Sequence, residues 1–372
     1  MQICLVMIVK NESHVLARAL ESAINFADKL VIVDTGSSAD EESKMLEAIE
    51  HVWPRSYAFE RTKWVDFAHN RTEALRIAET IYPDAEWLFM MDADDYIINL
   101  TNVPLNPDMP AYQVMLWNAD ISYPRTQIFR ADGSWHYEGV VHEYAERDKP
   151  YGQLPLYPIT IASTREGARN HTDDKYERDA ELLINALNDP DTPTHLRPRY
   201  TFYLAQSYDA MDNTDRALAW YDARVLISAG YVEERYVSLL RMAKISYKLA
   251  ADKKDADMLS VLEQYAHAGQ QLCPQRRELV AYAMWRYNEA GMYNRSLRLF
   301  AKYPPVKMPI GLFVEPETYS WLMLDRAAVA SYYCGDYKVA LTLGLSAMKG
   351  HPNMPLDLRR MADNLRFSVD KL

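Results

Sequence analysis

The sequence predicts two folds in series, an α/β domain on a mostly parallel sheet and then an all-α domain of repeated helix pairs. Two observations predict the first. Apolar runs of strand length alternate with segments of helical periodicity from Ile3 to Met91, and three of those runs stop at polar clusters. The second follows from what happens after about Lys175, where the chain turns to amphipathic helix pairs rich in alanine and tyrosine.

Size and composition agree with this division. The 372 residues exceed one ordinary core, since domains cluster near roughly 100–200 residues. With 49% hydrophobic and 25% charged residues the chain is not of the disordered class. The net charge of −11 disfavours a surface dedicated to nucleic acid, which concentrates lysine and arginine against phosphates. No apolar stretch reaches the ~20 residues that span a bilayer, and Met1–Lys10 lacks the basic start of a signal peptide. Cys4, Cys273 and Cys334 are far apart and odd in number, which points to a reducing compartment and a cytoplasmic location.

Taken in order, Ile3–Val9 is a continuous apolar run, as in a strand covered on both faces. Asn11-Glu12-Ser13 breaks it, and His14–Ala27 carries an apolar helical face. Leu30–Val33 is a second strand, stopped by Asp34-Thr35-Gly36-Ser37-Ser38. Glu41–Ile49 reads as helix, Arg55–Phe59 as a third strand and Phe67–Ile81 as a helix with Ala74, Leu75, Ile77 and Ala78 inward. Trp87–Met91 is a fourth strand that ends at Asp92-Ala93-Asp94-Asp95. Strand–helix alternation implies parallel pairing, and ligands of such sheets bind beyond the C-terminal strand ends. The three polar clusters therefore belong at one edge. From about Pro104 to Ile161 strands at Ala111–Trp117 and Gln127–Arg130 suggest a mixed or antiparallel extension. The helical part repeats one design at Tyr200–Leu226, Ala281–Phe300 and Ala327–Ala347, with a less regular pair at Tyr236–Cys273. Its small-and-aromatic pattern is that of a diverged tetratricopeptide-like array. Residues 1–172 and 173–372 are the expected domains.

Each cluster has a chemical and a plain reading. Asp92 and Asp94 after an apolar strand suit a hard divalent cation, Mg²⁺ or Mn²⁺, bridging a diphosphate; the plain reading is a solvated acidic turn. Crowding them with Asp95 raises a pKa unless a cation is present. Asp34, with Gly36 in the same turn, accepts from a ribose hydroxyl or base N–H, or closes the turn before the next helix. Asn11 and Glu12 read as ligand contacts or as a helix cap. Arg71 reaches a phosphate or makes a surface salt bridge. His142 is catalytic or structural, and Trp135 and Tyr137 are a stacking platform or core. Gln275-Arg276-Arg277 and Arg197–Arg199 offer only scattered basic charge.

VMIVKNE, VIVDTGS and WLFMMDADD, in this order, resemble the family 2 glycosyltransferases of GT-A fold. SWHYEGVVHE (Ser134–Glu143) resembles the W-x-Y-x-G-x-V-H-E stretch of a bacterial and phage branch that also carries a tetratricopeptide-like domain. The resemblance covers essentially the whole chain. It implies transfer of a sugar from a nucleotide sugar, a UDP-sugar above all, with inversion and with Mn²⁺ or Mg²⁺. It implies that Asp34, Val9 and Glu12 bind the nucleoside and that Asp92, Ala93 and Asp94 form the D-x-D at the diphosphate. It further implies that Gly139 lies in a glycine loop near the acceptor and that Glu143 is the catalytic base. His171, with His142 second, would complete the metal shell. The chain has His142-Glu143 where many relatives have Glu-Asp, which leaves the base open between the two. The acceptor is a glycan, a peptide or protein, or a modified DNA base, and the helical part offers a surface for homo-oligomers. The competing readings are a nucleotidyltransferase, against which the lack of a glycine-rich basic loop at Lys10-Asn11-Glu12 counts, and a helical-repeat binding protein with a degenerate transferase domain.

Overall fold

A computed structural model describes residues 2–118, 121–164, 166–167, 175–250, 255–351 and 355–372. The chain divides into two compact units, Met1–Thr192 and Pro193–Leu372. The first unit takes in the helix Lys175–Asn188, which the expected boundary at 172/173 gives to the helical part.

In the first unit β1 (Ile3–Val9), β2 (Lys29–Asp34), β3 (Tyr57–Arg61) and β4 (Trp87–Met90) lie in the order β3-β2-β1-β4, all parallel. β5 (Tyr96–Leu100), β6 (Ala111–Asn118), β7 (Ile121–Arg130) and β10 (Leu156–Ala162) extend the sheet to eight strands in the order β4-β7-β6-β10-β5. β7 runs antiparallel to β4 and β6 antiparallel to β7, as the mixed extension predicts. β8 (Trp135–Glu138) and β9 (Tyr144–Arg147) form a separate hairpin.

The apolar run of β1 is continuous because both faces are covered. Ile3, Leu5, Met7 and Val9 enter one core with α1 (Ser13–Ala23) and α2 (Ala39–Val52), through Leu16, Leu20, Met45 and Ile49. Cys4, Val6 and Ile8 enter a second with α3 (Phe67–Ile81), through Ala74, Leu75 and Ala78. β2 and β4 divide in the same way. Among the boundaries that differ from expectation, two have a clear local cause. α1 stops at Ala23 because Phe26 and Ala27 both return their N–H groups to the Ala23 carbonyl, which turns the Phe26 ring against Phe89 at 5.3 Å. β3 starts at Tyr57, since register with β2 pairs Leu30 with Tyr57 and Asp34 with Arg61; Arg55 instead caps the α1 exit through the carbonyls of Ile24 and Ala27.

The second unit stacks helix pairs: α5 (Arg197–Ala210) with α6 (Thr214–Leu226), α7 (Val232–Leu249) with α8 (Ala256–Leu272), α9 (Glu278–Glu289) with α10 (Tyr293–Lys302), and α11 (Met323–Tyr333) with α12 (Tyr337–Gly350). α4 (Lys175–Asn188) precedes them in the first unit and α13 (Pro355–Val369) follows. Three of the pairs turn on one device. Asp212, Gly291 and Gly335 take left-handed φ values of 56°, 75° and 85°. The next residue's N–H then reaches back to Tyr208, Tyr287 and Ser331 at 2.9, 2.8 and 3.0 Å, closing the last helical turn. Asn213 and Asp336 then cap the following helices with their side chains.

Gln275-Arg276-Arg277 is not surface charge, contrary to expectation. Arg276 is fully buried and paired with Glu233 and with Glu278, which also accepts from the Tyr236 and Tyr319 hydroxyls at 3.1 and 2.9 Å. Removing one partner of such a cluster leaves buried charge uncompensated, at a cost of about 3–5 kcal/mol. Arg276→Met is therefore expected to destabilise the second unit by about that amount in urea unfolding at pH 7, and by less near pH 4, where the stranded carboxylates take up protons. Equal deficits at both pH values would contradict the assignment.

Candidate active site

The parallel strands deliver the three polar clusters to one edge. Val9 stands beside Asp34 in register, and the Thr35 N–H and hydroxyl both donate to the Val9 carbonyl at 2.9 and 3.1 Å. The turn after β2 closes on Asp34, whose carboxylate accepts from the Ser37 N–H at 3.1 Å and the Ser37 hydroxyl at 2.5 Å. Asn11, at φ 59°, donates its N–H to the Ser37 hydroxyl at 2.8 Å and accepts from the Ser38 N–H at 3.0 Å. The first two loops are thus one hydrogen-bonded body. Ser38 caps α2, whereas Glu12 stands at the N-cap of α1 without a side-chain cap bond. Gly36, at φ 118° with open space around it, fills a backbone position that side chains rarely adopt.

Beyond β4 the chain turns at Asp92-Ala93-Asp94-Asp95, with the Asp95 N–H donating to the Asp92 carbonyl at 3.1 Å. The Ala93 methyl sinks into the core beneath. Asp92 meets two arginines: Arg71 Nη2 at 2.5 Å on one oxygen and Arg125 Nη1 at 3.3 Å on the other. Arg71 lies inside α3 with a side chain only 4% exposed, and its Nε donates to Glu143 Oε1 at 2.7 Å. Arg125 Nη2 is 3.9 Å from the same oxygen. Arg71 is thus buried, and the surface salt bridge of the plain reading does not describe it.

Glu143 follows the β8 hairpin turn, in which Gly139 has φ 115° and its Cα hydrogens face the Glu143 backbone; a Cβ there would lie 3.4 Å from Glu143 Cα. His142, at φ 53°, is exposed to solvent. Trp135 and Tyr137 are not an open platform. Both are buried against Phe129, with ring centroids at 5.2 and 6.0 Å. His171, the expected third metal ligand, lies outside the described residues.

The charges balance unequally. Burial works against ionisation of Asp92, but the Arg71 and Arg125 guanidiniums outweigh it and bring its pKa down to about 2. Burial raises Asp94 and Asp95, and the charge of Asp92 raises both further. Asp95 is 2% exposed, and its Oδ2 has no hydrogen-bond partner among the described residues; nor do Arg71 Nη1 and the Tyr137 hydroxyl. Two guanidiniums against four carboxylates leave negative charge uncompensated. Among the described residues no three His, Cys, Asp or Glu side chains are disposed to hold a metal ion. Asp92 and Asp94 supply carboxylate oxygens of the kind an Mg²⁺-like cation takes one or two at a time, with water and substrate phosphate filling the rest of its shell.

Three residues here had no distinct signal in the sequence. Arg125 comes from β7, whose place beside β4 requires the antiparallel extension to be threaded first. Gln127 is the extra residue of a bulge opposite Tyr112/Gln113, buried with both ends of its amide unpartnered among the described residues. Gly167 donates its N–H to Asp94 Oδ2 at 3.0 Å, and a Cβ there would meet that oxygen at 3.0 Å and Glu12 Oε1 at 3.3 Å. The segment after β10 is further pinned by Thr164, whose hydroxyl donates to the Asp94 carbonyl at 2.6 Å, and by the Arg18–Glu166 ion pair.

Residues 4–99 match the family model described as Glycosyl transferase family 2. That span runs from β1 to β5 and contains Asp34, Asp92 and Asp94, while Arg125, His142 and Glu143 lie beyond it. A comparison with curated proteins yields no match. Among solved structures, a thermophilic TPR protein of Thermus thermophilus is 20% identical with TM-score 0.32, covering 52% of this chain and 91% of its own. A mannosyltransferase of Pyrobaculum calidifontis, in complex with GDP-Man and Mn²⁺, is 13% identical with TM-score 0.31, covering 81% and 86%. Likeness at those scores decides nothing about this chain. No helix among the described residues is long and apolar enough to cross a membrane.

Asp95 gives a direct test of the charge balance. Its folded-state pKa lies above the unfolded value, so its contribution is full below the unfolded pKa and is lost as pH rises through the folded one. Asp95→Asn removes that loss. The variant is expected to gain about 1–3 kcal/mol over wild type at pH 8 and nothing at pH 4, read by thermal melting in metal-free buffer. A variant less stable than wild type at pH 8 would contradict it.

Proposed function

We propose that this chain, whose first unit carries a glycosyltransferase family 2 domain, moves a sugar from a nucleotide-sugar donor to an acceptor hydroxyl with inversion. The observation that carries this reading is that Arg71 and Arg125 join Asp92 to Glu143 at the sheet edge to which β2 and β4 also deliver Asp34 and Asp94. Asp34, Val9, Asn11, Glu12 and Gly36 form the nucleoside end, and a UDP-sugar is the donor we infer from the resemblance of VIVDTGS and its neighbours. Asp92, with the backbone of Ala93, and Asp94 face the diphosphate. Arg71 Nη1, without a partner among the described residues, is a donor for a phosphate oxygen.

Mn²⁺ or Mg²⁺, held by Asp92 and Asp94 with His171 as third ligand, would offset charge on the leaving diphosphate. Glu143 is the general base, in preference to the exposed His142. Both arginines pair with its Oε1, which fixes the carboxylate and leaves Oε2 to take the proton of the acceptor hydroxyl as that oxygen attacks the anomeric carbon. Attack from the side opposite the leaving nucleotide needs a base placed there, which a retaining reaction does not. Cys4, Cys273 and Cys334 are all free thiols, in keeping with a reducing, cytoplasmic setting.

One observation favours the reading of a non-catalytic scaffold: both Asp92 oxygens are engaged by guanidiniums, which supply compensation that a cation would otherwise give. A single experiment separates the two. UDP-sugars are incubated with glycan, peptide and hydroxymethylated DNA acceptors in Mn²⁺, and products are read by mass. We expect a mass increment of one glycosyl unit on one acceptor class, reduced about 10²–10⁴-fold in Glu143→Gln and abolished in Asp94→Asn. Absence of transfer and of donor hydrolysis with every donor would sink the enzyme reading.

A further inference from the structure

The second unit contains a cavity of about 610 Å³ whose lining includes Lys244, Tyr282, Trp285, Arg286, Glu315 and Arg326. Its volume is within the range of small-ligand sites, about 300–1,000 Å³. Its residues come from α7, α9, α11 and the segment between α10 and α11, so the walls belong to the packed array. They have a definite chemistry. Tyr247, Tyr282 and Trp285 supply an aromatic side, with the Arg286 guanidinium 3.5 Å from the Trp285 ring centroid.

Three of the four cations that line it are already paired. Lys244 holds Glu315 at 2.8 Å, Lys248 holds Asp212 at 2.6 Å and Arg286 holds Glu289 at 2.7 Å. Glu278 belongs to the buried Arg276 cluster. Arg326 is different. Among the described residues its guanidinium has no hydrogen-bond acceptor and no carboxylate at ion-pair distance, and it lies over Trp285 at 5.3 Å. Its sequence neighbour Asp325 is taken by Arg360 through two bonds of 3.2 and 2.9 Å. Burial lowers the Arg326 pKa to about 10, against the partial attraction of Glu315 and Asp325. Arg326 is half-buried, and a guanidinium partly withdrawn from water gains from a partner that it lacks here.

We propose that this cavity is a second ligand site, in which Arg326 binds an oxyanion group, a carboxylate or a phosphate, with Lys244 and Arg286 at its flanks. The proposal stands apart from glycosyl transfer, since none of these residues belongs to the carboxylate–arginine site of the first unit. Glu315 sets the affinity from the other side. It draws Lys244 away and places a negative charge beside Arg326, so its removal strengthens binding.

The test is calorimetric titration of the full chain with two probes, inorganic phosphate and a capped five-residue peptide of alternating alanine and glutamate, at low ionic strength. Saturable binding of either is expected, and the arm that binds identifies the source of the oxyanion. Arg326→Gln is expected to weaken it tenfold or more, and Glu315→Gln to tighten it severalfold, with the thermal melts of both variants confirming that they fold. Failure of both probes to bind wild type would overturn the proposal. So would undiminished binding by Arg326→Gln, or weaker binding by Glu315→Gln.

Discussion

Arg71 governs the geometry at the end of the sheet. One guanidinium, nearly sealed from solvent, spans Asp92 at the end of β4 and Glu143 on the far side of the β8 turn. Carboxylates that far apart in sequence have no reason to meet unless a cation holds them, and a cation at that depth has no reason to exist without them. Arg125 adds a second strut from β7 to the same pair. The partners fix one another: the arginines hold Asp92 ionised far below the usual carboxylate range, and the acids hold the arginines charged against burial. The strength of this network also limits what it compensates, because Asp94 and Asp95 lie outside it and carry the repulsion it leaves behind.

Much of this was legible in the sequence, for identifiable reasons. β1 is readable because a strand covered on both faces has to be apolar throughout. The convergence of Asp34 with Asp92 and Asp94 follows from parallel topology alone. Three helix pairs of the second unit are readable because each closes on the same left-handed turn, at Asp212, Gly291 and Gly335. What was not legible depends on long-range pairing. Arg125 looks like any polar residue in a half-buried strand until β7 is placed against β4. Arg276 looks like surface charge until Glu233 is brought to it from α7 and the Tyr236 and Tyr319 hydroxyls close on its near neighbour Glu278. The end of α1 is a third case, since the Phe26 ring leaves the helix for a core position that periodicity does not reveal.

The two units use buried charge in different ways. In the second unit the Arg276 cluster is fully satisfied, with Tyr236 and Tyr319 completing Glu278. That is the arrangement expected of a structural element, since a fully paired polar network fixes one packing. In the first unit the network leaves Asp95 Oδ2, Arg71 Nη1 and the Tyr137 hydroxyl without partners among the described residues, gathered around one set of carboxylates. Incomplete satisfaction concentrated at one place is the mark of a site that is finished by something it binds. The contrast separates the first unit's carboxylate–arginine site from the Arg276 cluster of the second on physical grounds alone.

The central proposal is that the strand-end carboxylates would seat a diphosphate together with a divalent cation. Calorimetric titration of the full chain with UDP at pH 7, in Mn²⁺ and then in excess EDTA, tests it most directly. The account predicts saturable binding that requires the metal. Binding of equal strength in EDTA, or none in either buffer, would contradict it.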